Sequence, residues 1–328
     1  MFEGTILHFH CQTASPFHTT RQRYANLVKC APFILGSTLR GAVLDTLVRT
    51  CCSPQRLASL ESLNDPAAIA EKHSTCTEAC PVQPFFAQPP LVRFSFATFE
   101  DVDYRMMTRI GLSRETRSVV EGSIFTIEAV STGVHFDFEV ILLGQALEIA
   151  ETAVETVRHV AALGSIGGFR SIGLGRFEVV SEPQRIPLDD RLDQMMAGWP
   201  LPGERAQLTF TTPFVLGAGG TPETMGGEPL ARYVADQIDQ AAAQAGYTVE
   251  RALPLERADV RVRPDFISRF SYEQGLRENR LVAWPNSSLG FDWPETVDAD
   301  GLALALALGI GEWSAWGFGR FSVGAEHA

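Results

Sequence analysis

The chain has 328 residues, which exceeds one average domain and predicts two. Hydrophobic residues make up 45% and charged residues 20%, as is ordinary for a globular protein with real cores. The 27 basic and 39 acidic residues give a net charge of −12, which argues against a protein that coats nucleic acid nonspecifically. A single local basic groove remains compatible with this charge.

The N-terminus, the longest apolar stretch and the cysteine count together predict the cellular compartment of the protein. The N-terminus has no basic start followed by an apolar run, so it does not read as a signal peptide. The longest apolar stretch, residues 302–310, is far too short to span a bilayer. Six cysteines in a chain this long do not make a disulfide framework. We therefore expect a cytoplasmic protein without membrane contact, with its cysteines as thiols or metal ligands.

The first half predicts the order β-α-β-β-α-β. Residues 5–11 alternate as a strand, and Ser37 is a good N-cap for a helix over 38–49. Residues 123–130 and 135–143 look like a hairpin across 131–133. A helix over 148–163 that stops at Gly164 and a strand over 176–180 complete the order.

An internal repeat indicates a duplicated domain. Residues 166–179 align without gaps on 310–323, with seven of fourteen positions identical. A weaker echo pairs 15–17 (Ser-Pro-Phe) with 212–214 (Thr-Pro-Phe), each after the opening strand of its half.

The second half predicts a strand over 207–210 and a helix over 229–244. Residues 302–308 alternate Leu with Ala like a strand, but their alignment with the preceding helix of the first half favours a helix. We expect an α+β protein of two tandem ferredoxin-like (βαββαβ, RRM-like) domains, each with a glycine-rich loop before its last strand. The domains would cover 1–185, with an insertion at about 50–120, and 205–328, joined by a linker at 186–204.

The glycine-rich loops suit a phosphate chain. Glycines permit positive φ and a close approach of the backbone, and exposed amides beside an arginine would bind phosphate. The alternative is a tight helix-to-strand turn whose glycines only avoid a clash. Two copies at equivalent places favour binding. The candidate residues are Gly167, Gly168, Arg170, Gly173, Gly175 and Arg176 in the first loop, and Gly311, Trp313, Trp316, Gly317, Gly319 and Arg320 in the second.

Three segments carry a resemblance to a known family. The two loops are similar to the glycine-rich loop of CRISPR-associated RAMP superfamily proteins, and residues 32–42 (PFILGSTLRGA) resemble the opening of that superfamily's first helix. Residues 114–128 resemble a segment of crRNA-binding effector subunits. Residues 269–274 and the closing loop resemble the repeat-processing endoribonucleases. The resemblance implies CRISPR RNA or its precursor as ligand, and other effector subunits as further partners.

Arginines form the candidate RNA contacts outside the loops. Four positive charges, Arg105, Arg109, Arg114 and Arg117, lie within thirteen residues and are opposed only by Glu115. The alternative is a solvated loop. Arg21, Arg23 and Arg40 form a second candidate patch. The loop tryptophans could stack on bases or pack in a core.

Metal-independent cleavage at a 2′-OH needs a base or acid that titrates near neutrality, and it needs no cofactor. His18 lies beside Arg21, Arg23 and Tyr24 in the loop after the first strand, where the endoribonucleases often carry a catalytic histidine, so His18 and Tyr24 are the catalytic candidates. RNA contact without chemistry, or a plain surface position, is the alternative for His18.

Cysteines concentrate after the first helix. Cys51, Cys52, Cys76 and Cys80, with His73 nearby, offer enough ligands for a tetrahedral structural zinc, and free thiols are the alternative. Three functions stay open at this point. They are a repeat-cleaving endoribonuclease, a non-catalytic crRNA-binding effector subunit, and a duplicated ferredoxin-like protein with a small-molecule or protein ligand.

Overall fold

The computed structural model describes residues 2–52, 66–73, 76, 80–112, 119–216, 225–249, 253–255, 257–271 and 276–326. It is a mixed α+β structure. In chain order its longer elements are β1 (Gly4–Thr13), β2 (Thr20–Tyr24), β3 (Leu27–Cys30), β4 (Phe33–Ile34), α1 (Gly36–Cys51), α2 (Pro66–His73), β5 (Val92–Phe94), β6 (Ala97–Phe99), β7 (Tyr104–Leu112), β8 (Val119–Val130), β9 (His135–Leu143), α3 (Ala150–Leu163), β10 (Phe177–Val179), β11 (Gln184–Pro187), α4 (Leu188–Met196), β12 (Arg205–Phe210), β13 (Phe214–Val215), α5 (Gly227–Gln244), β14 (Asp259–Arg261), β15 (Pro264–Ser271), β16 (Leu276–Ala283), β17 (Ser288–Asp292), α6 (Ala299–Leu308) and β18 (Phe321–Ala325).

The main sheets of the two halves share one strand order. The first contains β10-β1-β9-β6-β4, with β11 also on β1 and β5 also on β9, and the second is β14-β17-β12-β18. In each sheet the first strand of the half lies between the last strand and the strand before the last helix. Two further sheets are the four-stranded β2-β3-β8-β7 and the three-stranded β13-β16-β15.

The predicted hairpin between β8 and β9 is wrong. β8 pairs antiparallel with β7 and parallel with β3, whereas β9 pairs with β1 on one side and with β5 and β6 on the other. Both edges of β9 are therefore occupied, and β8 belongs to a different sheet, between β3 and β7. Strands β5 and β6, which pair with β9 in the first sheet, both lie inside the segment that the sequence suggested as an insertion.

Two helix predictions have different outcomes. Helix α1 begins at Gly36 after Leu35, without a capping side chain, so Ser37 is not the N-cap. Residues 302–308 are helical, as the repeat predicted, and every residue from Gly301 to Leu308 is buried. A helix that is buried on all sides has no polar face, which is why its sequence lacks the helical period.

The segment expected to be a linker is structured. Helix α4 packs Leu188 and Leu192 into a cluster with Ile6 and Ile141 of the first sheet and Leu304 of helix α6. Each half also has its own core, one around Phe9 and Phe138 and one around Phe210 and Phe291. The two halves thus share buried apolar surface. No helix in the described part of the chain is long and apolar enough to cross a membrane.

Candidate nucleic-acid interface

The two glycine-rich segments form the same backbone turn. In each, a 3-10 turn lies between an aromatic residue and a glycine that both have positive φ. In the first segment φ is 58° at Phe169 and 88° at Gly173. In the second segment φ is 64° at Trp313 and 84° at Gly317. The preceding glycines, Gly167 and Gly311, also have positive φ, of 87° and 80°. We name the segments turn 1 (residues 166–176) and turn 2 (residues 310–320).

The last glycine of each turn makes a close approach that no side chain would allow. A Cβ on Gly175 would lie 1.9 Å from the carbonyl oxygen of Ile166, and one on Gly319 would lie 1.9 Å from that of Ile310. The Gly175 amide donates to Pro16 O at 3.0 Å, and the Gly319 amide donates to Pro213 O at 2.9 Å. The Ser-Pro-Phe and Thr-Pro-Phe echo in the sequence is therefore the docking partner of each turn.

Turn 1 presents two arginines to solvent. Arg170 and Arg176 are exposed, and Arg170 only reaches Ser165 O at 3.5 Å. The backbone amide of Arg176 donates to Ser15 Oγ at 3.0 Å, which anchors the turn while the guanidinium stays outside. Within the described part of the chain, neither arginine forms an ion pair. Gly168 is half-buried and Gly173 is exposed.

Turn 2 packs against the first half of the chain. A Cβ on Gly317 would lie 2.5 Å from the backbone nitrogen of Phe96. Trp313 and Trp316 are half-buried and pack on a cluster that contains Phe96 and Phe318. Arg320 is only 17% exposed and donates to Glu139 Oε2 at 2.7 Å. These contacts connect the two halves and leave the side chains of Trp313, Trp316 and Arg320 only partly exposed.

Strand β7 brings two further arginines towards turn 1. Arg105 is exposed and faces Ala129, and Arg109 is half-buried and faces Phe125 on β8. Phe125 stacks on Phe169 of turn 1, with 6.2 Å between ring centroids. The other members of the predicted cluster, Arg114 and Arg117, lie outside the described residues.

The second predicted arginine patch is not one surface. Arg40 donates to Phe85 O at 2.7 Å, and burial lowers the pKa of its guanidinium to about 10. Arg21 pairs with Asp265 of the second half at 3.2 Å and lies over the ring of Trp284. The Arg23 side chain lies outside the described part. Arg40 and Arg21 are thus occupied by contacts within the protein.

His18 is buried next to turn 1. It has no exposed surface, and its ring meets that of Phe169 edge-on at 5.0 Å. Nδ1 lies 2.6 Å from Glu128 O and must donate to it, while Nε2 lies 3.0 Å from Thr20 Oγ1. Burial lowers the pKa of His18, against the opposing hydrogen bond to Glu128 O. Neither nitrogen faces an open site, and the side chain of Tyr24 lies outside the described part.

A cluster of histidines and carboxylates, for which the sequence predicted no role, lies on the face of β1 opposite Leu7 and Phe9. His8 and His10 face Glu139 and Asp137 across the ladder to β9, and His10 Nδ1 lies 2.6 Å from Asp137 Oδ1. His10 also stacks on His135 at 5.0 Å. The alternation of residues 5–11 signalled that these histidines share a face, but the carboxylates belong to a strand whose register only the structure shows.

The predicted cysteines separate into two groups. Cys51 is exposed on helix α1. Cys52, Cys76 and Cys80 instead place their sulfur atoms 3.2–3.4 Å from the ring nitrogens of His73.

No curated protein matches the chain in sequence. A solved structure described as the type III-B Cmr-beta bound to cognate target RNA has a similar chain, with 12% identity and a TM-score of 0.38. The match covers 56% of this chain and 61% of the other chain, so this chain spans less than two thirds of the length of the chain in that structure. The family model of the RAMP superfamily matches residues 10–178, more than half of the sequence. The chain therefore belongs to the RAMP superfamily.

Proposed function

We propose that this protein binds CRISPR RNA through turn 1 and strand β7, within a pair of tandem ferredoxin-like domains at residues 1–185 and 205–328. The shared strand order of the two sheets supports the two domains. Membership of the RAMP superfamily supports CRISPR RNA as the ligand, because CRISPR RNA is the ligand that the resemblance to RAMP proteins implies.

The observation that carries the proposal is the difference between Arg176 and Arg320. The two turns have the same backbone, but only turn 1 keeps its arginines exposed and outside any ion pair among the described residues. Guanidinium groups bind phosphate in bidentate geometry. The amides of Gly173, Gly175 and Arg176 already donate within the protein, so the expected amide contacts with phosphate do not support the proposal and the arginines carry it. Because the whole chain is acidic, these arginines would provide a local rather than a general attraction for RNA.

Strand β7 extends the same surface. Arg105 and Arg109 are four residues apart on one face of the strand, about 13 Å along it. Phe125, which lies on β8 opposite Arg109, stacks on Phe169 and so links the β7–β8 ladder to turn 1. We therefore infer one continuous path for a ribose-phosphate chain.

Binding of labelled CRISPR repeat RNA tests the proposal. Arg170→Ala with Arg176→Ala is expected to weaken the affinity about 10–100-fold for each arginine, since a charge-assisted hydrogen bond contributes about 1.5–3 kcal/mol. Arg232→Ala with Arg257→Ala is the control, because it also removes two positive charges, from exposed sites outside turn 1. Equal affinities of the two double variants would remove turn 1 as the binding site, and failure of the wild type to bind any RNA would favour a small-molecule or protein ligand.

Cleavage of precursor RNA by 2′-OH attack is the second candidate, and the contact of His18 with Phe169 in turn 1 favours it. Because His18 is buried, it would act only if turn 1 moved on RNA binding. Incubation of the protein with labelled repeat RNA in EDTA tests this activity. A cut that His18→Ala abolishes while the Tm is retained supports cleavage. Tight binding with no cut between about pH 6 and 9, the range around the ordinary histidine pKa, supports a non-catalytic subunit of an effector complex.

A further inference from the structure

The cysteine cluster after helix α1 has the geometry of a metal site. We propose that His73, Cys76 and Cys80 bind a structural zinc ion and that Cys52 positions the His73 ring. The Nδ1 of His73 and the sulfur atoms of Cys76 and Cys80 all lie within 4.8 Å of one another. Distances from Nδ1 to the two sulfurs are 3.4 and 3.2 Å. Ligand atoms about 2.0–2.3 Å from a tetrahedral zinc lie at such separations from each other.

The chemistry of the side chains favours zinc over hydrogen bonds alone. Thiols are weak hydrogen-bond donors and acceptors, so sulfur atoms around a buried imidazole gain little from it. Imidazole and thiolate are instead the preferred ligands of zinc. His73 is only 2% exposed, so a bound ion would be shielded from solvent on that side.

The chain places these ligands at short spacing. His73 is the last residue of helix α2, and Cys76 and Cys80 follow after two and three intervening residues. The Cys76 amide donates to His73 O at 3.1 Å, which turns the chain back towards the ring. An ion at this point would tie the end of helix α2 to the segment that leads into the core residues Val82 and Phe85.

Cys52 approaches from the other side of the imidazole. Its sulfur lies 3.3 Å from Nε2, the nitrogen that does not face Cys76 and Cys80. The second nitrogen of a zinc-bound histidine commonly contacts a group that fixes the orientation of the ring, and its loss weakens metal binding about 10–100-fold. Because Cys52 follows the last residue of helix α1, it would connect that helix to the site.

A structural role follows from the position of the cluster. The surrounding residues Ile69, Val82 and Phe85 belong to the core of the first half. None of the arginines proposed to contact RNA belongs to the cluster. Zinc is therefore expected to change the stability of the protein rather than the chemistry of its RNA site.

Metal content of the purified full chain, prepared under reducing conditions, tests the proposal. We expect one zinc per chain in the wild type and in Cys51→Ser, the matched control on the exposed neighbour. Cys76→Ser, Cys80→Ser and His73→Ala are expected to lose the zinc. Cys52→Ser should retain a site with about 10–100-fold weaker affinity.

Two results would overturn the assignment. Zinc content that stays the same in Cys76→Ser and Cys80→Ser would place the metal elsewhere. A wild-type protein that binds neither added Zn²⁺ nor Co²⁺, with no thiolate-to-cobalt absorption, would have no site. The cobalt spectrum is read on the wild-type protein, so it decides the question even if the ligand variants do not fold. Because zinc binding is measured without RNA, a negative result would leave the proposed RNA binding unaffected.

Discussion

Arg320 donates a hydrogen bond of 2.7 Å to the carboxylate of Glu139, and this bond joins turn 2 to the central strand of the first sheet. Arg191 donates to the other oxygen of the same carboxylate at 3.3 Å. Arg176, at the matching place in turn 1, is exposed and has no such partner among the described residues. Two equivalent arginines of the repeat therefore have different roles, one in the contact between the halves and one at the surface.

The first prediction separates these roles. Arg320→Met should lower the free energy of unfolding by about 2–3 kcal/mol, because it leaves a mostly buried carboxylate without one of its charged partners. Arg176→Met should change it by less than about 0.5 kcal/mol, as expected for an exposed side chain. Urea unfolding of both variants measures the difference. Equal stability losses would show that Arg320 does not hold the halves together.

The second prediction concerns two equivalent glycines. Gly173 and Gly317 have nearly the same φ, of 88° and 84°, so alanine has a similar backbone strain at both. A Cβ on Gly173 meets nothing within 4 Å, whereas one on Gly317 would lie 2.5 Å from the backbone of Phe96. Gly317→Ala should therefore reduce the unfolding free energy by at least about 2 kcal/mol more than Gly173→Ala. Similar thermal unfolding of the two variants would contradict the docking of turn 2.

The third prediction is a pH dependence of stability. Burial raises the pKa of Glu139, but the contacts with His8, Arg320 and Arg191 outweigh it and lower the pKa to about 2. Since the folded-state pKa is depressed below the unfolded value of about 4.3, Glu139 stabilises the fold above that pH, and the effect is lost as the pH falls towards 2.

The difference in unfolding free energy between wild type and Glu139→Gln measures this effect. We expect up to about 3 kcal/mol above about pH 5, and a gradual decrease between about pH 4.3 and 2. A difference that did not change across this range would indicate that the carboxylate has an ordinary pKa in the folded protein.

The fourth prediction is the salt dependence of RNA binding. The logarithm of the affinity should fall linearly with the logarithm of salt concentration, with a slope of about −0.7 for each phosphate contact on a single strand. Arg176→Ala should make this slope less steep by about one contact, and the exposed control Arg232→Ala should not change it. An unchanged slope for Arg176→Ala would show that its guanidinium does not contact phosphate.

The sequence by itself determined the features that depend on local backbone chemistry. The spacing of Gly167, Gly173 and Gly175 predicts a turn with repeated positive φ, and its copy at residues 311–319 has the same conformation. The repeat also predicts helix α6, whose own Leu-Ala alternation indicated a strand. Such features were predictable because glycine's freedom and the alignment of two copies need no knowledge of distant partners.

Only the tertiary structure decided which of the repeated groups face solvent. Arg176 and Arg320 follow identical glycines, and their exposure differs because Glu139, 181 residues before Arg320, lies beside one of them. Tertiary packing also decided three other features. They are the pairing of β8 with β7, the burial of the Arg40 side chain and the position of His73 among three cysteines. Each depends on which segments pack together far apart in sequence, and neither residue type nor spacing encodes that choice locally.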